Sequence, residues 1–121
     1  MEAPRDMVID RDPTTLDDNS LDSAMGFEGT MCVIAVGDKD DGKYACNNAT
    51  TPPPDPMEAN GLAVFHNKES AEMYMGSLNG LSGEVVEKTL EECRQIAMGK
   101  PRLNALFFML GPLILKIHFI R

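Results

Sequence analysis

The sequence predicts an α+β domain, a two-layer fold in which a mixed β-sheet carries two helices on one face and ends in a β-hairpin. Three features of the 121-residue chain lead to this prediction. Residues 60–88 show a strand, helix and strand pattern, residues 89–98 show a second capped helix, and two apolar runs follow on either side of Gly111-Pro112. Strands and amphipathic helices of this kind bury their apolar faces by packing in layers around one core.

The first helix lies between two predicted strands. Residues 62–65 form a short apolar run typical of a buried strand, and Asn67 offers a side-chain acceptor that can cap the helix. Residues 84–88 predict the second strand. A strand, a helix and a strand in such close succession favour a right-handed crossover between two paired parallel strands. The helix has apolar residues at helical spacing, which are Ala71, Tyr74, Met75 and Leu78.

A capping box marks the start of the second helix. Thr89 occupies the cap position, and Glu92 stands three residues later, where its carboxylate can reach back to the Thr89 backbone. Gly99 indicates where the helix ends. The apolar positions of this helix are Leu90, Cys93, Ile96 and Ala97.

The last residues predict a β-hairpin. Residues 103–110 are apolar on both faces, which is typical of a central strand. In residues 113–120, Lys116 and His118 alternate with apolar residues and predict one polar, solvent-facing side. A membrane-spanning segment is not expected, because Gly111-Pro112 separates the runs and neither approaches about 20 residues. The predicted core-facing positions are Leu113, Leu115, Ile117 and Phe119.

Residues 1–25 are predicted to form a disordered acidic tail. Their apolar residues are few and aperiodic, and cannot offset the entropy lost on ordering the segment. An alternative is that residues 7–9 add as a strand to an exposed sheet edge. A single folded domain is then expected over residues 26–121.

The front of that domain contains a strand and a proline-rich segment. Residues 31–36 are apolar and partly β-branched, which predicts a buried strand. Asp41-Gly42 is typical of a hairpin turn, so residues 43–47 could return as a short strand. Residues 47–58 carry four prolines within five positions and predict a stiff Pro-rich loop. The alternative for this loop is that an aromatic groove on another protein binds it.

Charge and cysteine usage exclude several classes of partner. The net charge is −8, and residues 1–58 hold thirteen acids against four bases. Because no basic stripe is present, nucleic acid and anionic membrane surfaces are not expected partners. The three cysteines are Cys32, Cys46 and Cys93, an odd number far apart in the sequence. Free thiols in the cytoplasm are therefore expected, with a Cys32–Cys46 disulfide as the lesser alternative and no zinc site.

No catalytic, cofactor or metal motif is predicted, and the sequence favours a protein that is not an enzyme. The acidic turn that begins at Asp38 fails as a calcium loop, because its glycine stands fifth and Ala49 stands twelfth. Ser82-Gly83 follows a helix, whereas phosphate-binding loops precede one.

A ligand-binding site is nevertheless predicted where the first two crossover strands end. If residues 62–66 and 84–88 pair in parallel, their carboxyl ends lie side by side and both lead into helix N-termini. Two positive helix ends and two lysines would favour an anion in the crevice. The competing interpretation is that the polar residues only cap the helices or are solvated. The residues that would surround this crevice are His66, Asn67, Lys68, Lys88 and Thr89.

Two functions are compatible with these features of the sequence. The first is a non-catalytic protein-interaction or adaptor module, in which the terminal strand at 113–120 offers an open edge to a protein partner or a second copy. Such a module would act as a homo-oligomer in its simplest form. The alternative is a small anion-binding regulatory domain or enzyme that uses the crevice near residues 66–68 and 88–89.

Overall fold

A computed structural model describes residues 8–10, 30–36, 43–51, 56–77 and 83–120 of the chain. Seven strands and two helices occur in these ranges. In chain order they are β1 (Val8–Asp10), β2 (Thr30–Val36), β3 (Cys46–Thr50), β4 (Glu58–Phe65), α1 (Lys68–Ser77), β5 (Gly83–Thr89), α2 (Leu90–Met98), β6 (Ala105–Leu110) and β7 (Leu113–Phe119).

All seven strands belong to one mixed sheet. The hydrogen-bonded order is β1-β7-β6-β4-β2-β5, and β3 pairs with β4 outside this path. The β1–β7 and β4–β6 pairs are parallel, whereas β2 is antiparallel to both β4 and β5. The predicted α+β class, mixed sheet and C-terminal hairpin are therefore confirmed.

The predicted pairing of the two crossover strands is wrong. β4 and β5 run in the same direction, but β2 lies between them and hydrogen bonds to both. Cys32 of β2 is opposite Phe65 on one side and opposite Glu87 on the other. The physical reason is that β2 offers seven consecutive residues for antiparallel pairing with β5, from Thr30↔Thr89 to Val36↔Gly83.

The placement of both helices on one face is also wrong, because the helices cover opposite faces of the sheet. Ala71 and Tyr74 of α1 pack in one apolar cluster with Ile34. Cys93 of α2 packs in a second cluster with Val33, the residue next to Ile34 in β2. Since neighbouring strand residues point to opposite faces, the molecule has three layers with the sheet in the middle.

The strand order explains this three-layer arrangement. The β4–α1–β5 connection moves towards one sheet edge, and the β5–α2–β6 connection moves back past β2 and β4. Two right-handed crossovers that run in opposite directions must place their helices on opposite faces.

The segment after β2 is a return strand that changes partner. The Val36 N–H donates to the Lys43 carbonyl at 3.0 Å, and the Ala45 N–H donates to the Ile34 carbonyl at 2.8 Å. From Cys46 onwards the chain pairs with β4 instead. Residues 47–50 and residue 58 of the predicted Pro-rich loop are therefore strand, which corrects both boundaries of that loop.

The remaining loop joins β3 to β4 and is closed at its base. The Thr51 N–H donates to the Met57 carbonyl at 2.9 Å, and the Met57 N–H donates to Thr51 Oγ1 at 2.8 Å. Residues 52–55, which hold three of the prolines, lie outside the described residues.

The β6–β7 hairpin is confirmed, but β7 does not alternate as predicted. The pairs Phe108↔Lys116 and Met109↔Ile114 leave Leu115 as an extra residue, which is a β-bulge. Ile117 and Phe119 therefore face the α1 side as predicted, whereas Leu115 packs on the α2 side and Leu113 is 49% exposed.

The face of β7 that was predicted to be polar is not exposed to solvent. Lys116 and His118 are only 9% and 0% exposed, because they lie opposite Phe108 and Leu106 on the face that α2 covers. The Lys116 Nζ lies 5.9 Å from the centre of the Phe108 ring. The prediction of a solvent-facing side in this strand is therefore wrong.

The N-terminal segment contributes a strand to the sheet. Val8–Asp10 pairs in parallel with Lys116–His118 of β7, and the half-buried Ile9 packs against the α1-side core. For these three residues the expected disordered tail is wrong. Strand addition to a sheet edge occurs at residues 8–10 rather than at the proposed residues 7–9, and Met7 lies outside the described residues. The other residues of that predicted tail lie outside the described ranges.

Among the described residues, no helix has both the length and the apolar character needed to span a membrane. The two apolar runs that raised this question form β6 and β7.

Candidate functional site

The predicted anion site is divided between two faces of the sheet. Asn67 caps α1, where its Oδ1 accepts the Ser70 N–H at 2.8 Å. Lys68 is exposed at the start of the same helix and lies 4.0 Å from the Glu72 carboxylate. His66 is half-buried directly before this cap.

The other two residues of that site lie with α2. Thr89 is the cap of α2: its Oγ1 accepts the Glu92 N–H at 3.1 Å, and its own N–H donates to Glu92 Oε1 at 2.8 Å. Lys88 is opposite Met31, which belongs to the α2-side core. The two strand ends are separated by β2 and therefore by about 10 Å.

The structure therefore confirms the capping roles but does not bring the five residues together. The two helix N-termini belong to different layers, so their partial positive charges do not converge on one crevice.

A strand-accepting edge is the first feature that the structure adds. Residues 8–10 pair with Lys116–His118 although more than one hundred residues separate them in the sequence. β1 covers three of the seven residues of β7. Within the ranges that the structure describes, no strand pairs with the outer edge of residues 113–115.

An apolar patch adjoins that uncovered part of the edge at the tip of the β6–β7 hairpin. The cross-strand pair Leu110 and Leu113 is 42% and 49% exposed. Met73 of α1 is 59% exposed and lies beside Gly111. If Gly111 carried a Cβ atom, that atom would lie 3.3 Å from Met73 Cε. Gly111 has φ +54°, and its N–H donates to Ser70 Oγ at 2.7 Å, so the tip is held against α1.

A polar cavity of about 530 Å³ is the second feature. It lies between the β3–β4 pair and the loop that leads from α2 to β6, and its lining residue Leu103 belongs to the α2-side cluster. The lining residues are Cys46, Asn47, Asn48, Asn60, Arg102 and Leu103. A smaller cavity of about 120 Å³ adjoins it and shares Asn48 and Asn60.

Asn104 fixes the wall of this cavity. The Asn60 N–H donates to Asn104 Oδ1 at 2.8 Å, and the Asn104 N–H donates to the Asn60 carbonyl at 2.8 Å. The Asn104 Nδ2 also donates to the Glu58 carbonyl at 3.0 Å. The backbone at Asn60 is therefore held in place independently of the Asn60 side chain.

Cys46 lies at the edge of the cavity and is the exposed cysteine of the chain, since Cys32 and Cys93 are buried. Its Sγ–H donates to the Tyr44 carbonyl at 3.4 Å. Partial burial of the sulfur raises the pKa of the Cys46 thiol, and the nearby Lys100 ammonium opposes this increase. Cys46 is therefore a thiol rather than a thiolate at neutral pH.

Sequence reasoning missed the cavity because its walls come from three distant segments. One pattern could have indicated it. Asparagine is depleted in β-strands, yet Asn47 and Asn48 lie in β3 and Asn60 lies in β4. Within the described ranges, no group of three His, Cys, Asp or Glu side chains is placed to hold a metal ion.

Comparison with known proteins finds no family model, no curated protein and no solved structure that matches this chain.

Proposed function

We propose that the protein is a non-catalytic interaction module whose β7 edge accepts an extended strand from a partner. The simplest partner is a second copy of this chain, which would supply its residues 8–10. The single observation that supports this proposal is the parallel pairing of the remote Val8–Asp10 strand with Lys116–His118.

The pairing of β1 with β7 is weak enough for β1 to be exchanged for a strand from a partner. β1 is only three residues long, and its half-buried Ile9 packs against the core. Burial of part of one isoleucine side chain and three residues of pairing stabilise β1 by about 1–2 kcal/mol. A longer strand from a partner would gain more, because it could also pair along residues 113–115.

The apolar patch at the hairpin tip extends the same surface. Leu110, Leu113 and Met73 are exposed beside the uncovered end of β7. Exposed apolar groups next to a strand edge favour a partner that adds side-chain contacts to backbone hydrogen bonds.

The chain between β1 and β2 is long enough for exchange. Residues 11–29 can span about 60 Å when fully extended. β1 can therefore reach the β7 edge of a second molecule. If both copies donate β1, the result is a closed two-fold dimer that uses the same contacts as the monomer.

The proposal includes a cytoplasmic location. All three cysteines are free thiols, which a reducing compartment maintains. The alternative function as an anion-binding domain or enzyme near residues 66–68 and 88–89 is not proposed further, since Asn67 and Thr89 cap helices that pack on opposite faces of the sheet.

The test uses a chain that lacks residues 1–12 and a labelled peptide of residues 5–12. We expect the peptide to bind the truncated chain saturably and to bind the full chain about tenfold more weakly, because β1 already occupies the edge. The same peptide with Ile9→Asp is the control and should not bind.

A second measurement does not depend on the truncated chain. Light scattering of the full chain should show a fraction of dimer that increases with protein concentration. The Ile9→Asp variant should not form this dimer. A full chain that stays monomeric at high concentration, together with no peptide binding, would contradict the proposal.

A further inference from the structure

We propose that the 530 Å³ cavity between the β3–β4 pair and the α2–β6 loop binds a small organic carboxylate that also carries an amide group. Its volume lies within the roughly 300–1,000 Å³ that is usual for small-molecule sites. This proposal is independent of the strand-accepting edge, which involves β7 and the hairpin tip.

The asparagines in its wall indicate amide recognition. Asn48 and Asn60 are directly opposite each other in the β3–β4 register, on the same face as the core residue Leu62 two positions along β4. Within the described part of the chain, neither side-chain amide has a hydrogen-bond partner in the fold.

Asn47 provides the contrast, because its side chain has a structural role. Its Oδ1 accepts the Asn48 N–H at 2.8 Å, and its Nδ2 lies 3.8 Å from Met109 Sδ. The paired amides of Asn48 and Asn60 have no comparable role, although a strand disfavours asparagine. Two neighbouring amides present both donors and acceptors, and a ligand amide satisfies such a pair.

The charge at the cavity selects an anion. Arg102 is its charged lining residue, and Lys100 lies near enough to act on the Cys46 thiol. Among the described residues no acid lines this cavity, although Glu58 lines the smaller cavity beside it and the whole chain carries a net charge of −8. Within the described residues, the Arg102 guanidinium makes no ion pair, so its planar donors can take a carboxylate in the two-bond geometry that arginine favours.

The end of α2 argues for a carboxylate rather than a phosphate. Gly99 is the C-cap of α2, and Arg102 follows three residues later. The partial negative charge at a helix C-terminus offsets part of the positive charge of Lys100 and Arg102. A single negative charge is therefore accommodated better than a dianion. Neither of the two helices in the described ranges contributes its N-terminal residues to the cavity lining, where they could bind phosphate.

Cys46 supplies a direct measure of occupancy. It lines the cavity and is the exposed cysteine, so a thiol reagent at about pH 8 should modify it well before the buried Cys32 and Cys93. A ligand that fills the cavity should slow this modification.

The experiment follows that rate in the full chain as N-acetylglycine is added. We expect saturable protection of Cys46, together with shifts of the Asn48 and Asn60 side-chain amide signals in NMR spectra. N-acetylglycinamide, which lacks the carboxylate, and inorganic phosphate should protect at least about tenfold less at equal concentration.

Arg102→Gln should raise the half-protecting concentration about tenfold or more. Arg94→Gln is the matched control, because it makes the same charge change on α2, where the half-buried Arg94 pairs with Glu91 and does not line the cavity. Arg94→Gln should leave the half-protecting concentration within about twofold of the original.

Three outcomes would overturn the proposal. They are an absence of saturable protection, equal protection by the neutral analogue or phosphate, and an Arg102→Gln response no larger than that of Arg94→Gln. Arg102 is exposed and Arg94 is half-buried, so unchanged thermal midpoints should show that neither variant is misfolded.

Discussion

The environment of Lys116 differs between the sequence-based prediction and the structure. Alternation in β7 predicts a solvated lysine, but the side chain is buried against Phe108. Lys116→Glu should lower the free energy of unfolding by more than about 2 kcal/mol, because it places a carboxylate at a buried site over an aromatic face. Urea unfolding measures this. The control Lys68→Glu, at a position 72% exposed, should cost less than about 0.5 kcal/mol, and equal losses would place Lys116 in solvent.

Cys93 should make the fold sensitive to alkali. Burial, aided by Glu92, raises the pKa of this thiol from 9.0 to about 12. Below pH 9 the thiol is protonated in both the folded and the unfolded chain, so it does not make the free energy of unfolding depend on pH. As the pH rises from about 9 towards 12, the Cys93 thiol loses its proton in the unfolded chain but keeps it in the folded chain. The free energy of unfolding therefore falls. Urea unfolding at about pH 8 and pH 10.5 should show this fall, and Cys93→Ala should reduce it more than Cys46→Ala does.

At the scale of elements, the β7 bulge decides which side chains form the core. Phe119 is 1% exposed and should cost about 3–5 kcal/mol when changed to alanine, through lost burial and a cavity. Leu113→Ala should cost less than about 1 kcal/mol, although unbroken alternation would place Leu113 on the same buried face. Denaturant titration of both variants is the measurement. A large loss for Leu113 would mean that the bulge is absent or that a partner covers the hairpin tip.

The start of α2 tests a pattern that the sequence predicted fully. Thr89→Ala removes the acceptor for the Glu92 N–H and should cost about 1 kcal/mol. Thr89→Ser keeps the hydroxyl and should cost much less. The Thr89 backbone N–H lowers the pKa of Glu92, so the stabilisation from that carboxylate is present above the ordinary glutamate pKa and is lost as the pH falls below it. A neutral Thr89→Ala would show that other groups satisfy the Glu92 N–H.

Local patterns predicted most elements, because caps, turns and periodicity are properties of neighbouring residues. Both helix starts, the β6–β7 hairpin and the strand at 30–36 follow from such patterns. The insertion of β2 between β4 and β5 could not be predicted in this way, because it depends on pairing between residues about fifty positions apart. The same insertion separates the five residues of the predicted anion site.

At the scale of the whole molecule, the two proposed surfaces lie in different parts of the fold. The strand-accepting edge is at β7, near one end of the sheet order, whereas the cavity involves β3 and β4 beyond β6. The asparagines that line the cavity form a pattern only after β3 and β4 are paired. A ligand in the cavity and a strand at β7 therefore use different contacts, and a variant at either surface should leave the other unaffected.

β1 places residues 8–10 beside residues 116–118 in one sheet. Removal of residues 1–10 should lower the free energy of unfolding by about 1–2 kcal/mol, because the β7 edge loses three residues of pairing and the core loses the contact with Ile9. Ile9→Ala in the full chain should account for a large part of this loss. Urea unfolding at low protein concentration, where exchange between molecules is negligible, is the measurement. If truncation is neutral while Phe119→Ala remains costly, β1 contributes nothing to the isolated domain, and its pairing with β7 would have to be stabilised by a partner.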